Sequence, residues 1–411
     1  MKSLRQTAYF VVVALLAVAL AGCSNQGNSS GPPGTTSQPP AISSPELPPP
    51  ASSSAEPEQS ATPSPSASAS PISISKESPQ GKVTALRLAD FKTGWAGGAG
   101  WIARTDDGGK TWQTQLKHKY IVLQLFALNG KEAWAALDTG DAKSVLLMHT
   151  TDGGKKWTGA GNVPNRAFLH FVSSKEAFSG NVHTTDGGKT WTKLQVPASA
   201  VGDVYFHDRS NGWAVTQGNN KFNIMRTTDG GKSWKIALTR DTAAQVTGTV
   251  IRSAGKDDAW VELIGDSGMS QTSYSLFHTK DGGKSWIPVL ANNQAGSGPA
   301  PGYKMNEESK VPRNNGAGPG TLYVANTQTA FMGGQCMACD LPNTMGKTVD
   351  GGKTWVNLPS EFAGYGTQQI AVADSDHIWW VNTDNAEPSV MYTSLDGGKH
   401  WTKTHSFGKP K

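Results

Sequence analysis

The chain has 411 residues, with 37 Lys and Arg against 32 Asp and Glu, a formal net charge of +5 at pH 7. That is close to balance, and no basic run stands out, which argues against a nucleic-acid partner. The sustained apolar run near the start, Ala8 to Leu20, is too short for a comfortable transmembrane helix.

That run sits inside a targeting segment. Lys2 and Arg5 form a positive n-region, and Leu20-Ala21-Gly22-Cys23 closes it. The tetrapeptide resembles the bacterial lipobox. The resemblance implies cleavage before Cys23, a lipid on its thiol, and a place on the extracytoplasmic face of a bacterial membrane. An ordinary secretory signal with a chance Cys is the alternative. Removal of residues 1–22 takes away two positive charges and leaves 35 against 32.

Residues 23–80 read as a disordered tether. From Ser24 to Gln80, 57 residues include 13 Pro and 17 Ser and no aromatic residue, so they cannot bury enough apolar surface to offset ordering entropy. As a flexible coil the tether spans on the order of 40 Å, and more where Pro extends it. The alternation Ile72-Ser73-Ile74 near its end is a weak strand signal.

All 14 Trp fall in residues 81–411, the expected folded domain. At about 330 residues it exceeds a usual single core and suits radially repeated units. One phrase recurs seven times in it: TDDGGKTW, TTDGGKKW, TTDGGKTW, TTDGGKSW, TKDGGKSW, TVDGGKTW and SLDGGKHW, ending at Trp112, Trp157, Trp191, Trp234, Trp286, Trp355 and Trp401. The pattern predicts a tight turn in which Asp bonds backbone N–H groups, Gly takes positive φ, and Trp opens the outgoing strand. It resembles the Asp-box, or bacterial neuraminidase repeat, S/T-x-D-x-G-x-T/S-W; only Lys156 and His400 depart from it, at the penultimate place. Asp107, Asp152, Asp186, Asp229, Asp281, Asp350 and Asp396 are thereby structural residues, since a sevenfold repeat cannot be one active site. A calcium loop lacks its later ligands and its Glu, and a phosphate loop lacks its first Gly, whose place holds Arg104. No metal site and no cofactor are expected.

A second phrase precedes each turn. An aromatic residue stands at Trp95, Trp134, Phe178, Trp213, Trp260, Phe331 and Trp379; five places earlier are turn formers, and nine places earlier an aliphatic, Leu86, Leu125, Leu169, Val204, Ile251, Leu322 and Ile370. Each repeat then has four strands: aliphatic A, aromatic B, C running into the box, and D leaving it. The expected fold is an all-β, seven-bladed β-propeller of four-stranded antiparallel blades, with blades starting near 82, 120, 165, 201, 246, 320 and 367. The seventh copy looks complete, so closing the ring need not use an exchanged strand.

Function is sought where the repeats differ. The aromatic-to-Asp distance, spanning the B–C loop, is 8 in the third repeat and 21 in the fifth; the Asp-to-aromatic distance is 26 to 31 except for 50 between Asp281 and Phe331. That excess is a Gly/Pro/Asn-rich insertion near 291–320, expected to be mobile and to order on contact with a client. Beside it, Cys336-Met337-Ala338-Cys339 fits a disulfide staple, with a redox pair or half a metal site as alternatives. One place after each aliphatic come Arg87, Phe126, His170, Tyr205, Arg252, Tyr323 and Ala371, facing the opposite way on the strand nearest the axis. They are either packing between blades with polar ends in the tunnel, or a ligand ring in which Arg87, His170, Tyr205, Arg252 and Tyr323 are the candidates.

Lipobox, Pro-rich tether and Asp-box blades together resemble the bacterial propeller proteins similar to photosystem II assembly and stability factors. The resemblance covers 81–411 and implies a non-enzymatic scaffold that holds a membrane-protein client. The chain is further expected to be a monomer, to meet the membrane through its lipid anchor, and to hold a protein client on the loop-rich face that carries the insertion and the CMAC loop. A carbohydrate-active propeller is the alternative, since sialidases share Asp-boxes. A sialidase needs three converging arginines and a Tyr–Glu pair, and the Phe/Tyr-Arg-Ile-Pro segment that would supply one of those arginines is absent.

Overall fold

A computed structural model describes residues 78–293, 298–304, 307, 310–336, 341–364 and 366–409. They all lie in the second of two compact units, Ser68–Lys411. Cys23, the tether up to residue 77 (with Ile72 and Ile74) and Cys339 lie outside the described residues.

The described residues are all-β, without an α-helix. No helix among them is long and apolar enough to cross a membrane. Their strands form six antiparallel sheets, five of four strands and one of six, each made of consecutive strands. Neighbouring sheets touch in sequence, and the innermost strand of the last, Gln369–Val372, packs beside that of the first, Val83–Leu88. The ring is a β-propeller.

Seven separate four-stranded blades are therefore not what forms. The six-stranded sheet takes up the first two repeats, and the physical cause lies in their links. Gly94–Thr105 runs from strand B into C without leaving the sheet, passing a register shift at Gly100, whose φ is +89°. Gln113–Ala127 then serves as strand D of one repeat and strand A of the next. That stretch, QTQLKHKYIVLQLFA, contains no Gly, Pro, Asn or Asp to turn the chain out of the sheet. The corresponding link between the third and fourth repeats holds Pro197 and Gly202 and does leave it.

The repeated turns form as expected from their chemistry. In all seven the Ser or Thr hydroxyl donates to the Asp Oδ1 at 2.8–2.9 Å and accepts the second Gly N–H at 2.8–3.0 Å. The Asp also accepts the N–H of the residue before the Trp, at 2.9–3.0 Å. The Ser or Thr at that place adds a hydroxyl bond, as in Thr111 to Asp107 Oδ2 at 2.6 Å; His400 replaces it with Nδ1, 2.6 Å from Asp396 Oδ2. Lys156 forgoes it. Positive φ makes glycine necessary here: at Gly109, φ +86°, a Cβ would also come within 2.3 Å of Met391 Cε. The first Gly N–H of every turn donates to the A–B turn of its own repeat, for example Gly108 to Lys92 O and Gly397 to Asp376 O, both at 2.9 Å. One face of the ring thus carries both kinds of turn.

The seven strand-B aromatics are at most 1% exposed and anchor the packing between neighbouring strands and sheets. Opposite them on strand C stand Arg104, His149, His183, Arg226, His278 and Lys347, immediately before the box Ser or Thr. His278 stacks on Trp260 at 3.7 Å, its Nε2 lies 2.9 Å from Asp258 Oδ1, and its Nδ1 lies 2.7 Å from Gly351 O in the next box. Arg226 reaches Gly282 O and Lys347 reaches Gly397 O in the same manner. The ring closes with no exchanged strand, through a parallel bridge between Gln80 and Gly408 and a shared cluster of Val83, Trp101, Trp379 and Phe407.

Candidate functional site

Strand A lies innermost in each repeat, and most of these strands contribute several residues to an axial cavity. Six of the seven positions expected there, Arg87, Phe126, His170, Tyr205, Arg252 and Tyr323, line a single axial cavity of about 730 Å³; Ala371 does not. The cavity extends from Arg166, Asp203, Thr321 and Gln369 at one end to Val172, His207, Ala254 and Asn326 beside the A–B turns.

The two tyrosines serve partly as ties between sheets. Tyr205 donates its hydroxyl to Ser253 O at 3.4 Å and Tyr323 to Val372 O at 3.1 Å, each in the following sheet. Burial pushes the Tyr205 phenol up to about 12, the wrong direction for a nucleophile.

The cations are more available. The Arg252 guanidinium lies 3.7 Å from the Phe168 ring centre, donates to Ile251 O at 2.7 Å, and sits 3.3 Å from Asp203 Oδ2. Burial pulls its pKa down, opposed chiefly by Asp203. Arg87 lies 4.7 Å from the Phe126 ring and 5.9 Å from Tyr323, and its Nε is buried with no hydrogen-bond partner. His170 is 9% exposed and stacks on Tyr205 at 4.8 Å. Neither of its ring nitrogens makes a full hydrogen bond; only the His207 backbone approaches. Burial first, then the nearby His207 and Arg252, hold its pKa at about 3, so it is neutral.

Sequence reasoning missed Arg166, Phe168, Asp203 and His207, which line the cavity from outside the strand-A pattern. Arg166 belongs to a D–A link whose backbone is fixed by Gln124, which accepts Leu169 N–H at 2.8 Å and donates to Ala167 O at 2.9 Å. Three arginines therefore line the cavity, as a sialidase requires. Arg166, however, is paired with Asp138, and no Glu stands among the lining residues to partner a tyrosine.

The 291–320 insertion is described only in part, and several of its described residues are packed rather than loose. Ala291, Asn292, Ala300, Tyr303 and Asn314 are all buried. Asn292 and Asn314 exchange two hydrogen bonds of 2.7 and 2.9 Å, and Tyr303 stacks on Phe277 at 6.0 Å. Asn314 also donates to Gly333 O at 3.1 Å, so these described residues pack against the neighbouring sheet, which composition alone does not reveal. Cys336 is disulfide-bonded and buried. No group of three or more potential metal ligands occurs among the described residues.

The family model for sortilin (neurotensin receptor 3) matches residues 180–297, less than half of the chain. No curated protein matches it. Among solved structures, the chain is similar to YCF48 bound to a D1 peptide, at 15% identity over 78% of this chain and 96% of that one, with a TM-score of 0.48. It is similar to YCF48 from Cyanidioschyzon merolae at 15% identity, over 80% and 99%, with a TM-score of 0.47. A Niastella koreensis GH74 enzyme is similar at 13% identity, over 83% and 75%, with a TM-score of 0.35.

Proposed function

We propose that the protein is a lipid-anchored extracytoplasmic scaffold that binds a protein client through its axial cavity. The observation that carries this reading is the cavity wall. It sets Arg87, Arg166 and Arg252 among the aromatic rings of Phe126, Phe168, Tyr205 and Tyr323, with Arg87 Nε and His170 buried and short of partners. Buried donors without partners cost stability, and a ligand that supplies acceptors recovers that cost. A peptide segment carrying carbonyl or carboxylate oxygens offers them, and guanidinium groups suit planar oxygen pairs. The role agrees with what the resemblance to photosystem II assembly and stability factors implies, and it rests on the cavity.

The test is affinity capture from native membranes with the wild-type domain and with Arg87→Ala/Arg252→Ala, followed by mass spectrometry. A client enriched by the wild type should be lost from the double variant while melting is little changed, and purified client should bind with the same difference. Equal recovery by both proteins would refute a cavity-bound client. The stacked rings of the wall also suit a sugar face, which is the second reading. Retained glycan binding by the purified domain, lost on Tyr323→Ala and without any protein client, would favour it.

A further inference from the structure

The repeated turn contains one side chain that the turn does not use. Within each copy the Ser or Thr and the Asp exchange hydrogen bonds, the two glycines supply positive φ, and the Trp packs beneath. The Lys that follows the second Gly does none of these things. Lys110, Lys155, Lys189, Lys232, Lys284, Lys353 and Lys399 are all exposed, and none of their ammonium groups has a hydrogen bond or ion pair among the described residues. A side chain present seven times in one chain, unengaged each time among the described residues although its backbone serves the turn in places such as Lys189 and Lys399, acts outward.

The carboxylates of this face are differently placed. The seven box aspartates are bonded into their own turns, and Asp90, Asp208 and Asp374 accept N–H groups of the A–B turns. Asp106 holds Arg104, Glu132 faces His149, Glu176 faces His183 and Arg209, Asp257 holds Arg226, and Asp258 faces His278. Asp376 is the exception. Negative charge is drawn into the turns, while ammonium groups on four-carbon stems project beyond it. A flat partner meets the cations first.

Two apolar side chains project among them. Val349 and Leu395, the residues before the box Asp in the sixth and seventh copies, are 52% and 65% exposed. With Lys353, Lys399 and Lys110 they occupy three successive turns round the ring, because the seventh box adjoins the first along a groove lined by Phe91, Lys92, Lys110 and Leu395. Gln80 and Gly408, near the two ends of the described residues, lie at the opposite ends of the strands from this face.

We propose that this face docks on an anionic phospholipid surface, with the arc from Val349 through Leu395 to Lys110 entering the interface. Exposed lysines beside protruding aliphatics match a bilayer interface, whereas a soluble polyanion gains nothing from Val349 and Leu395. The 57 residues from Ser24 to Gln80, at up to ~3.4 Å each, are long enough for a chain anchored at Cys23 to turn this face back to the same bilayer.

The test is sedimentation of the full chain, carrying Cys23→Ser in every arm, with vesicles of phosphatidylcholine alone or with about a third phosphatidylglycerol. Whatever residues 1–22 contribute is common to all arms. The unmodified face should prefer the anionic vesicles by at least about tenfold, a preference that fades toward about 0.5 M salt. Lys110→Gln/Lys353→Gln/Lys399→Gln should abolish it, and Leu395→Ser should weaken it at every salt concentration. The charge-matched set Lys193→Gln/Lys221→Gln/Lys235→Gln, two on outermost strands and Lys221 at the opposite end of a strand C, should keep it. Equal binding to both vesicle types, equal loss in both triple variants, or binding to soluble polyphosphate without binding to vesicles would overturn the proposal. The salt titration needs no variant and decides the matter even if a triple variant folds poorly.

Discussion

Glu262 should make the protein lose stability as pH rises through neutrality, against the usual trend. It lies in the middle of a central strand, Ala259–Ser267, and is 1% exposed. Burial pushes its carboxyl up from 4.5 to about 8; Arg252 opposes that rise and Asp203 adds to it. In the unfolded chain the group ionises near its ordinary value, but in the fold it stays protonated until about pH 8. The stability it permits is therefore full below the unfolded pKa and falls as pH climbs toward the folded one. Each pH unit between the two costs about 1.4 kcal/mol, so from pH 5 to 7.5 the loss is about 2–3 kcal/mol. Glu262→Gln keeps the shape and removes the titration. Urea unfolding at pH 5, 6, 7 and 7.5 should show wild type and variant nearly equal at pH 5 and the variant more stable by about 2–3 kcal/mol at pH 7.5. Every other group is common to both proteins and cancels in the difference. Parallel stability curves would refute the reasoning.

The turns predict an acid limb. Hydrogen bonds from the Ser285 hydroxyl and N–H and the Thr279 hydroxyl, outweighing burial, hold Asp281 down at about 2. Its contribution is present above the unfolded value near 4 and is lost as pH falls toward 2, so Asp281→Asn should flatten acid unfolding followed by circular dichroism in that window. His278→Leu should cost about 2–3 kcal/mol in urea, because it removes the ring nitrogens that bridge the buried Asp258 Oδ1 and Gly351 O and leaves those oxygens unpaired; an unchanged midpoint would exclude that role. Cys23→Ser should abolish acyl labelling and processing before residue 23, and unchanged labelling would dismiss the anchor.

Much of the scaffold was legible because its chemistry is local and repeated. Thr105, Asp107, Gly109 and Trp112 make their bonds within one turn, so a single phrase specifies the geometry. The axial positions were legible in part: the period of two on strand A picks out Arg87, Phe126 and Tyr323, but Leu86, Leu125, Leu322 and Ile370 border the cavity as well and Ala371 does not. The number of sheets was not. Counting turns treats every link as a loop, and only the lack of any turn former from Gln113 to Ala127 signals a strand that continues. Arg166 and Asp203 escaped because links carry no period. The described part of the insertion was hidden for a related reason: Asn292 and Asn314 look like loop residues singly, yet both are buried and bonded to each other.

The strand Gln113–Ala127 has a consequence for how the ring comes apart. It is hydrogen-bonded on one side to Gly94–Thr105 and on the other to Ala133–Asp138. The first two repeats therefore cannot open one at a time, and their amides should exchange with solvent together, at the slow end of the distribution. At the seam between the last sheet and the first, the backbone is joined by the Gln80–Gly408 bridge with its Gly81 N–H bond. With the buried cluster of Val83, Trp101, Trp379 and Phe407 beneath that bridge, Val83–Leu88, which presents Arg87 to the cavity, is held at the closure on one side and by the continuous first sheet on the other.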